Sequence, residues 1–261
     1  MAQFVDYSNF IFNGISSEMY DLHIVTTDSN NTERIFGLSS SFETQDGIGD
    51  TKLYVRRKND TYSFDVEIMK LNGWNDVLPM SESEYDDIIR WLMVDEICPL
   101  QIGGLVHYGM FKTGTEFHNP YRQGIIKLEF ESICPYAYTP VMISNIRVIG
   151  NKIIKLDNKS NLNKKVYLDI YIEKLNGAGN VEIINIKNGN SFKVKSLEIG
   201  EQIKILGDGL MEVESLTNSN KNMFKYLEYK KFPYIDYGSN PIKIIGDCKI
   251  KFVYQVPVAL R

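Results

Sequence analysis

The sequence predicts a mainly β protein made of two units. The first, residues 1–138, is a β-sandwich with one helix and one long hairpin; the second, residues 139–261, is a β-sandwich of jelly-roll type. Three observations carry this. Short apolar segments alternate with polar residues at period 2 along most of the chain, and only one stretch repeats its apolar residues at helical spacing. After Ser132-Ile-Cys-Pro-Tyr-Ala-Tyr-Thr-Pro140, a proline-broken exit, composition shifts toward Asn, Lys and Ile. With 261 residues, 43% of them hydrophobic and 24% charged, the chain is long enough to bury two cores.

Taken in order, Phe10-Ile-Phe-Asn-Gly14 is a short strand closing on an Asn-Gly turn, and Leu22-His-Ile-Val-Thr26 is another, with His23 on its partly exposed side. Thr27 to Thr32 is polar enough for a surface loop, Phe36 to Phe42 is the next segment, and Gln45-Asp-Gly-Ile-Gly-Asp50 bends the backbone. That loop lacks the alternate oxygen donors of a Ca²⁺ loop and the Gly-Lys-Ser/Thr of a phosphate loop. Lys52-Leu-Tyr-Val-Arg56 then reads as one arm of a hairpin. The other arm is Tyr62 to Ile68, where Tyr62, Phe64, Val66 and Ile68 share one face and Ser63, Asp65 and Glu67 the other. Ser81-Glu-Ser-Glu84 offers a capping box, followed by Tyr85, Ile88, Ile89 and Leu92 on one helical stripe.

Beyond the helix, Gly103-Gly104 predicts a two-residue hairpin turn between Cys98–Ile102 and Leu105–Phe111. Gly114 to Pro120 reads as a loop, and Gly124 to Glu131 as a strand with Ile126, Leu128 and Phe130 inward. The second unit supplies nine segments of strand character: Val141 to Val148, Lys152 to Leu156, Val166 to Ile172, Val181 to Ile186, Phe192 to Val194, Gln202 to Leu206, Met211 to Val213, Ile242 to Ile245 and Cys248 to Val256.

The search for chemistry excludes more than it finds. A net charge of −4 and a pI near 5.5 leave no footprint for nucleic acid or an anionic membrane; the basic run Lys225 to Lys231 is interrupted by Glu228 and the rings of Tyr226 and Tyr229. Met1-Ala-Gln-Phe has no leader character and no apolar run reaches membrane length, so a protein made in the cytoplasm is expected. Cys98, Cys134 and Cys248 are odd in number and far apart, which predicts buried free thiols. His23, His107 and His118 fit no metal pattern, although the last two flank the Gly114 loop; no nucleophile elbow or dinucleotide fingerprint occurs. Glu129 and Glu131 share a strand face, which geometry alone explains without a glycosidase cleft. No cofactor or metal is expected. Tyr226, Tyr229, Phe232, Tyr234 and Tyr237 crowd within a dozen residues, either as core rings or as an exposed platform for a sugar or a partner.

The opening Phe10 to Leu22, the Gln45-Asp-Gly47 turn, the hairpin-helix unit and the exit Cys134-Pro-Tyr-Ala-Tyr138 resemble, in that order, the N-terminal domain of phage distal tail proteins, the Dit family. In the second half, Ile199 to Ile205, Phe232-Pro-Tyr and Tyr237-Gly-Ser-Asn-Pro-Ile242 are similar to that family's C-terminal galectin-like sandwich. Two features depart from the family: Asp21, where glycine usually precedes the leucine, and the acidic helix start Glu82 to Asp87. The resemblance implies a tail-tube-like N-terminal domain that forms a hexameric ring at the tail tip or baseplate, whether of a phage or of a tail-like particle. It further implies tail-tube protein on one face, hub or fibre protein on the other, DNA passing through the lumen without specific binding, no membrane and no enzymatic activity. A hairpin with one apolar and one charged face can pair with copies of itself. Tyr54, Arg56, Arg57, Tyr62 and Phe64 are therefore the interface candidates, and Tyr226, Tyr229, Tyr234 and Tyr237 the glycan or partner candidates.

Overall fold

The structure, a computed structural model, describes residues 9–25, 37–46, 51–72, 76–118, 124–207, 211–229 and 231–260, without the side chains of Leu53, Phe117 and His118. The expected loop at Thr27 to Thr32, residues 47–50 of the glycine loop, Phe36, Lys230 and the His118 ring lie outside the described residues. The chain divides into two compact units, Met1–Tyr138 with Ala259–Arg261, and Thr139–Val258.

In the first unit the strands are β1 (Ile11–Phe12), β2 (Ile15–Ser16), β3 (Leu22–Ile24), β4 (Ser40–Asp46), β5 (Lys52–Asn59), β6 (Ser63–Lys70), β7 (Cys98–Ile102), β8 (Leu105–His118), β9 (Gly124–Ser132) and β10 (Ala137–Tyr138), with helix α1 (Glu82–Leu92) between β6 and β7. One antiparallel sheet runs β2-β1-β7-β8-β9-β6-β3. Asn13 and Gly14 at φ 50° and 78°, and Gly103 and Gly104 at φ 60° and 74°, close the β1–β2 and β7–β8 hairpins through left-handed backbone, as their residue types predict. Asp21 takes φ 53° at the end of a short 3-10 turn, so this aspartate adopts the conformation that a glycine would supply. Inward residues of β6 and β9, Val66, Ile68, Ile126, Leu128 and Phe130, are buried against α1 and β1.

Ser81 caps α1, its hydroxyl accepting from the Glu84 amide while the Glu84 carboxylate accepts from the Ser81 amide at 2.8 Å. The expected apolar stripe is shifted by one position. Ile88, Trp91 and Leu92 are buried and Ile89 is 55% exposed, because a stripe centred on Ile88 places Trp91 about 60° to one side and Ile89 about 100° to the other. Trp91 stacks on Phe10 and Tyr20, and its Nε1 donates to the Phe12 carbonyl at 3.0 Å, fastening helix to sheet.

Two further expectations are corrected here. The segment from Gly114 to His118 continues β8 rather than looping, since its backbone pairs with Gly124 to Leu128. The arms Lys52–Arg56 and Tyr62–Ile68 do not pair with each other. Strand β5 pairs with β4 in a separate two-stranded ribbon, whereas β6 lies between β9 and β3. Phe64, Val66 and Ile68, with Tyr62 just ahead of them, give β6 a face worth burying, whereas β5 leaves Tyr54 and Val55 exposed.

The second unit holds β11 (Met142–Val148), β12 (Asn151–Asn158), β13 (Val166–Tyr167), β14 (Asp169–Lys174), β15 (Gly179–Asn185), β16 (Asn190–Leu197), β17 (Gln202–Leu206), β18 (Glu212–Ser215), β19 (Leu227–Tyr229), β20 (Tyr234–Ile235), β21 (Gly238–Ile245), β22 (Cys248–Tyr254) and β23 (Pro257–Val258). Two five-stranded antiparallel sheets, β11-β22-β14-β17-β18 and β12-β21-β15-β16-β19, enclose one core that includes Ile170, Val181, Phe192, Ile205, Ile244 and Phe252. Eight of the nine segments expected to be strands contain one strand each, while Val166 to Ile172 is broken at Leu168 into β13 and β14, which pair in different sheets; β19 and β20 were not expected because they sit in the tyrosine run, where apolar residues do not alternate. Cys98 and Cys248 are buried and Cys134 is half-buried, and none of the three is in a disulfide.

Candidate functional site

The β4–β5 ribbon stands outside the larger sheet of its unit. Nearly every residue along it is exposed, including Phe42 at 68% and Tyr54 at 63%. Between Glu43 and Thr44 the register shifts, so Val55 is an extra residue that opposes nothing. This bulge sorts the side chains. Ser40/Asn59, Phe42/Arg57, Thr44/Tyr54 and Asp46/Lys52 fall on one face, and Ser41/Lys58 and Glu43/Arg56 on the other. Phe42 and Tyr54 meet edge to face with centroids 6.0 Å apart, and Arg56 is paired with Glu43. Without the bulge Tyr54 and Arg56 would share a face; with it, Tyr54 joins Arg57.

Tyr62, expected at an interface, is placed in the unit's interior instead, whereas Phe64 is partly covered. Tyr62 is buried and half-buried Phe64 packs on His107 and Phe130. The Tyr62 hydroxyl lies 2.6 Å from Nδ1 of buried His107. Burial pushes the Tyr62 phenol up to about 12 and the His107 imidazole down to about 4, so both are neutral at pH 7. Sequence reasoning missed this pair because its partners are 45 residues apart.

On the outer face of the sheet, Asp65 and Glu129 are opposite each other in the register, with Lys127 Nζ 2.8 Å from Asp65 and Lys112 Nζ 2.5 Å from Glu131. Glu129 and Glu131 thus belong to an ion-paired solvent face.

The tyrosine run divides. Phe232 and Tyr234 are buried, half-buried Tyr226 sits under Lys221 at 4.5 Å, and Tyr229 and Tyr237 are exposed. Buried asparagines hold this stretch by its backbone: Asn190 Nδ2 donates to the Phe232 carbonyl, Asn185 Nδ2 to that of Tyr234, and Asn240 Nδ2 to those of Asp236 and Gly238. Tyr229 rests on Phe192 and Phe232, with centroids 5.7 and 5.4 Å away. Among the described residues no group of three or more His, Cys, Asp or Glu is placed to hold a metal ion. No described helix is long and apolar enough to cross a membrane.

A family model described as phage tail protein N-terminal domain matches residues 5–134. The crystal structure of the phage SPP1 Dit (gp 19.1) protein, described there as a hub of the adsorption apparatus, matches with a TM-score of 0.61 at 13% identity, covering 95% of this chain and 98% of that one. At this identity the match shows a shared fold. The phage P2 baseplate in its activated conformation with Ca matches at a TM-score of 0.49 and 10% identity, over 90% of each chain. No curated protein matches the chain by sequence.

Proposed function

The chain belongs, through residues 5–134, to the phage tail protein N-terminal domain family, and from that premise we propose that it is a structural protein of the tail tip without catalytic activity. In this reading six copies close into a ring that links the tail tube to the hub or fibres and continues the DNA channel, with receptor-binding or fibre proteins as further partners. The observation that carries it is the β4–β5 ribbon. A two-stranded ribbon alone in water is marginal, and exposed aromatic rings with free strand edges invite another chain. A ribbon from one copy that contacts a different surface on the next makes a head-to-tail contact, which closes into a ring when the rotation between copies allows. The face bearing Phe42, Tyr54 and Arg57 is the seam. Native mass spectrometry of Phe42→Ser/Tyr54→Ser against the unaltered chain tests this: loss of the oligomer with an unchanged circular dichroism spectrum is expected, and an unchanged oligomer would refute it.

A second reading, glycan binding by the sandwich, is favoured by the exposure of Tyr229 and Tyr237. Titration with cell-wall glycans should then change tyrosine fluorescence in the chain and not in Tyr229→Ala/Tyr237→Ala. An unchanged signal in the unaltered chain would remove this reading.

A further inference from the structure

A head-to-tail ring needs two different faces on every copy, one that gives and one that receives. The β4–β5 ribbon is the giving face, and its chemistry describes what can receive it. Strands β4 and β5 carry Lys52, Arg56, Arg57 and Lys58 against Glu43 and Asp46, a net of +2. Glu43 is taken up by Arg56 on the far side, which leaves Arg57 on the aromatic face with no ion pair among the described residues. The receiving face must offer apolar surface with carboxylates around it.

Charge narrows where that face lies. Residues 139–261 hold 19 Lys and Arg against 12 Asp and Glu, a net of +7, whereas residues 1–138 hold 10 against 21, a net of −11. A basic ribbon is therefore drawn to the first unit of another copy rather than to its second. Within the first unit, the outer face of the sheet is already served by its own lysines, Asp65 by Lys127 and Glu131 by Lys112. Outside the ribbon, the exposed large apolar residues described in this unit are Met19, Ile89, Met93, Ile97 and Ile133, and three of these five lie on α1 or just past its end.

Helix α1 meets both requirements. At 100° per residue, Glu82, Asp86, Ile89 and Met93 fall within about 60° of one another, on the side turned away from buried Ile88 and Trp91. All four are exposed. Residues 82–97 hold six Asp and Glu against Arg90 alone, a net of −5. The helix start does not need so much acid: its cap uses Ser81 and Glu84, Glu84 also binds Lys70, and Asp87 holds Arg90 at 3.0 Å. Asp86 lies beyond the first turn, where the helix dipole favours it little, and makes no ion pair among the described residues. We propose that the ribbon face bearing Phe42, Tyr54 and Arg57 seats on the outer face of α1 in the next copy, with its rings against Ile89 and Met93 and Arg57 among the carboxylates of Glu82 and Asp86. Ribbon on ribbon would instead set basic strands against each other and stop at a two-fold dimer.

This deepens the ring reading above and rests on it, and the experiment separates the two. Native mass spectrometry compares the unaltered chain with Phe42→Ser/Tyr54→Ser, which removes the giving face, and Asp86→Lys/Ile89→Ser, which removes the receiving one. All four side chains are exposed, so circular dichroism should be unchanged in both. Each variant alone should remain a single copy. Mixed one to one, well above the concentration at which the unaltered chain assembles, they should form dimers holding one of each and nothing larger, because each such pair has one intact ribbon and one intact helix face. An unchanged oligomer in the helix variant would overturn α1 as the receiving face and leave the ribbon seam standing. A mixture that stays as single copies would overturn the pairing of ribbon with helix. Dimers of the helix variant alone would mean ribbon on ribbon, and single copies of the unaltered chain at every concentration would mean no ring; either result sinks the ring reading and this inference with it.

Discussion

Strands β5 and β6 follow one another in the chain and alternate in the same way, yet β6 sits in the middle of a sheet under a helix and β5 stands in solvent with only β4 beside it. Alternation identifies a strand; it does not say which strand it will pair with. What separates these two is how much apolar surface one face offers. Val66 and Ile68 are buried, with Tyr62 just ahead of the strand, whereas Tyr54 and Val55 are left exposed. Burying a full aliphatic side chain is worth about 1.5–3 kcal/mol, so the strand with more inward apolar residues takes the core position. A ribbon left over in this way contributes little stability to the single chain, and in the proposed ring its contacts go to another copy.

The comparison breaks first at its most buried point. Ile68→Ala should destabilise the first unit by about 3 kcal/mol, and Val55→Ala should change it by less than about 0.5 kcal/mol. Urea unfolding followed by Trp91 fluorescence reads both, and equal effects would erase the distinction between the strands.

A second test uses acid. His107 sits behind β6 with a folded pKa lowered to about 4 from 6.5 by burial, so the unfolded chain takes up its proton first as pH falls. Its contribution is complete above about pH 6.5 and lost between there and about pH 4, on the order of 2 kcal/mol. His107→Phe should flatten the urea midpoint across that window. The Glu84 carboxyl, held down to about 2 first by its hydrogen bond from Lys70, acts at lower pH: its contribution is present above about 4.5 and fades as pH falls toward 2. An unchanged slope in His107→Phe between pH 6.5 and 4.5 would contradict the assignment.

The smallest effect is on the ribbon. The Glu43–Arg56 pair is solvent-exposed and lies on the face opposite Phe42, so Arg56→Ala should shift stability by less than about 0.5 kcal/mol and leave the oligomer mass unchanged. Arg57→Glu, on the aromatic face, should weaken assembly. If the two substitutions behave alike, the bulge at Val55 does not sort the faces as described.

Much of this was readable from residue types at fixed offsets. Asn13-Gly14 and Gly103-Gly104 specified their turns, Ser81 and Glu84 their helix start, and the alternation through Ile126, Leu128 and Phe130 an inward strand face, because each depends on neighbours along the chain. Partners distant in sequence were not readable. The pairing of β5 with β4, the burial of Tyr62 on His107, and the anchoring of the tyrosine run by Asn185, Asn190 and Asn240 all join segments that local spacing does not connect. The bulge at Val55 was equally hidden, since a single extra residue leaves the alternation of hydrophobicity almost unchanged. The charge contrast between the two halves was visible in the sequence and is hidden by a total of −4.

The most direct test of the central claim is negative-stain electron microscopy of the purified chain over a rising concentration series. Six-fold rings with an open centre, absent from Phe42→Ser/Tyr54→Ser, are the expected result. Single copies at every concentration, two-fold dimers, or rings that persist in the ribbon variant would contradict a ring seamed by the β4–β5 ribbon.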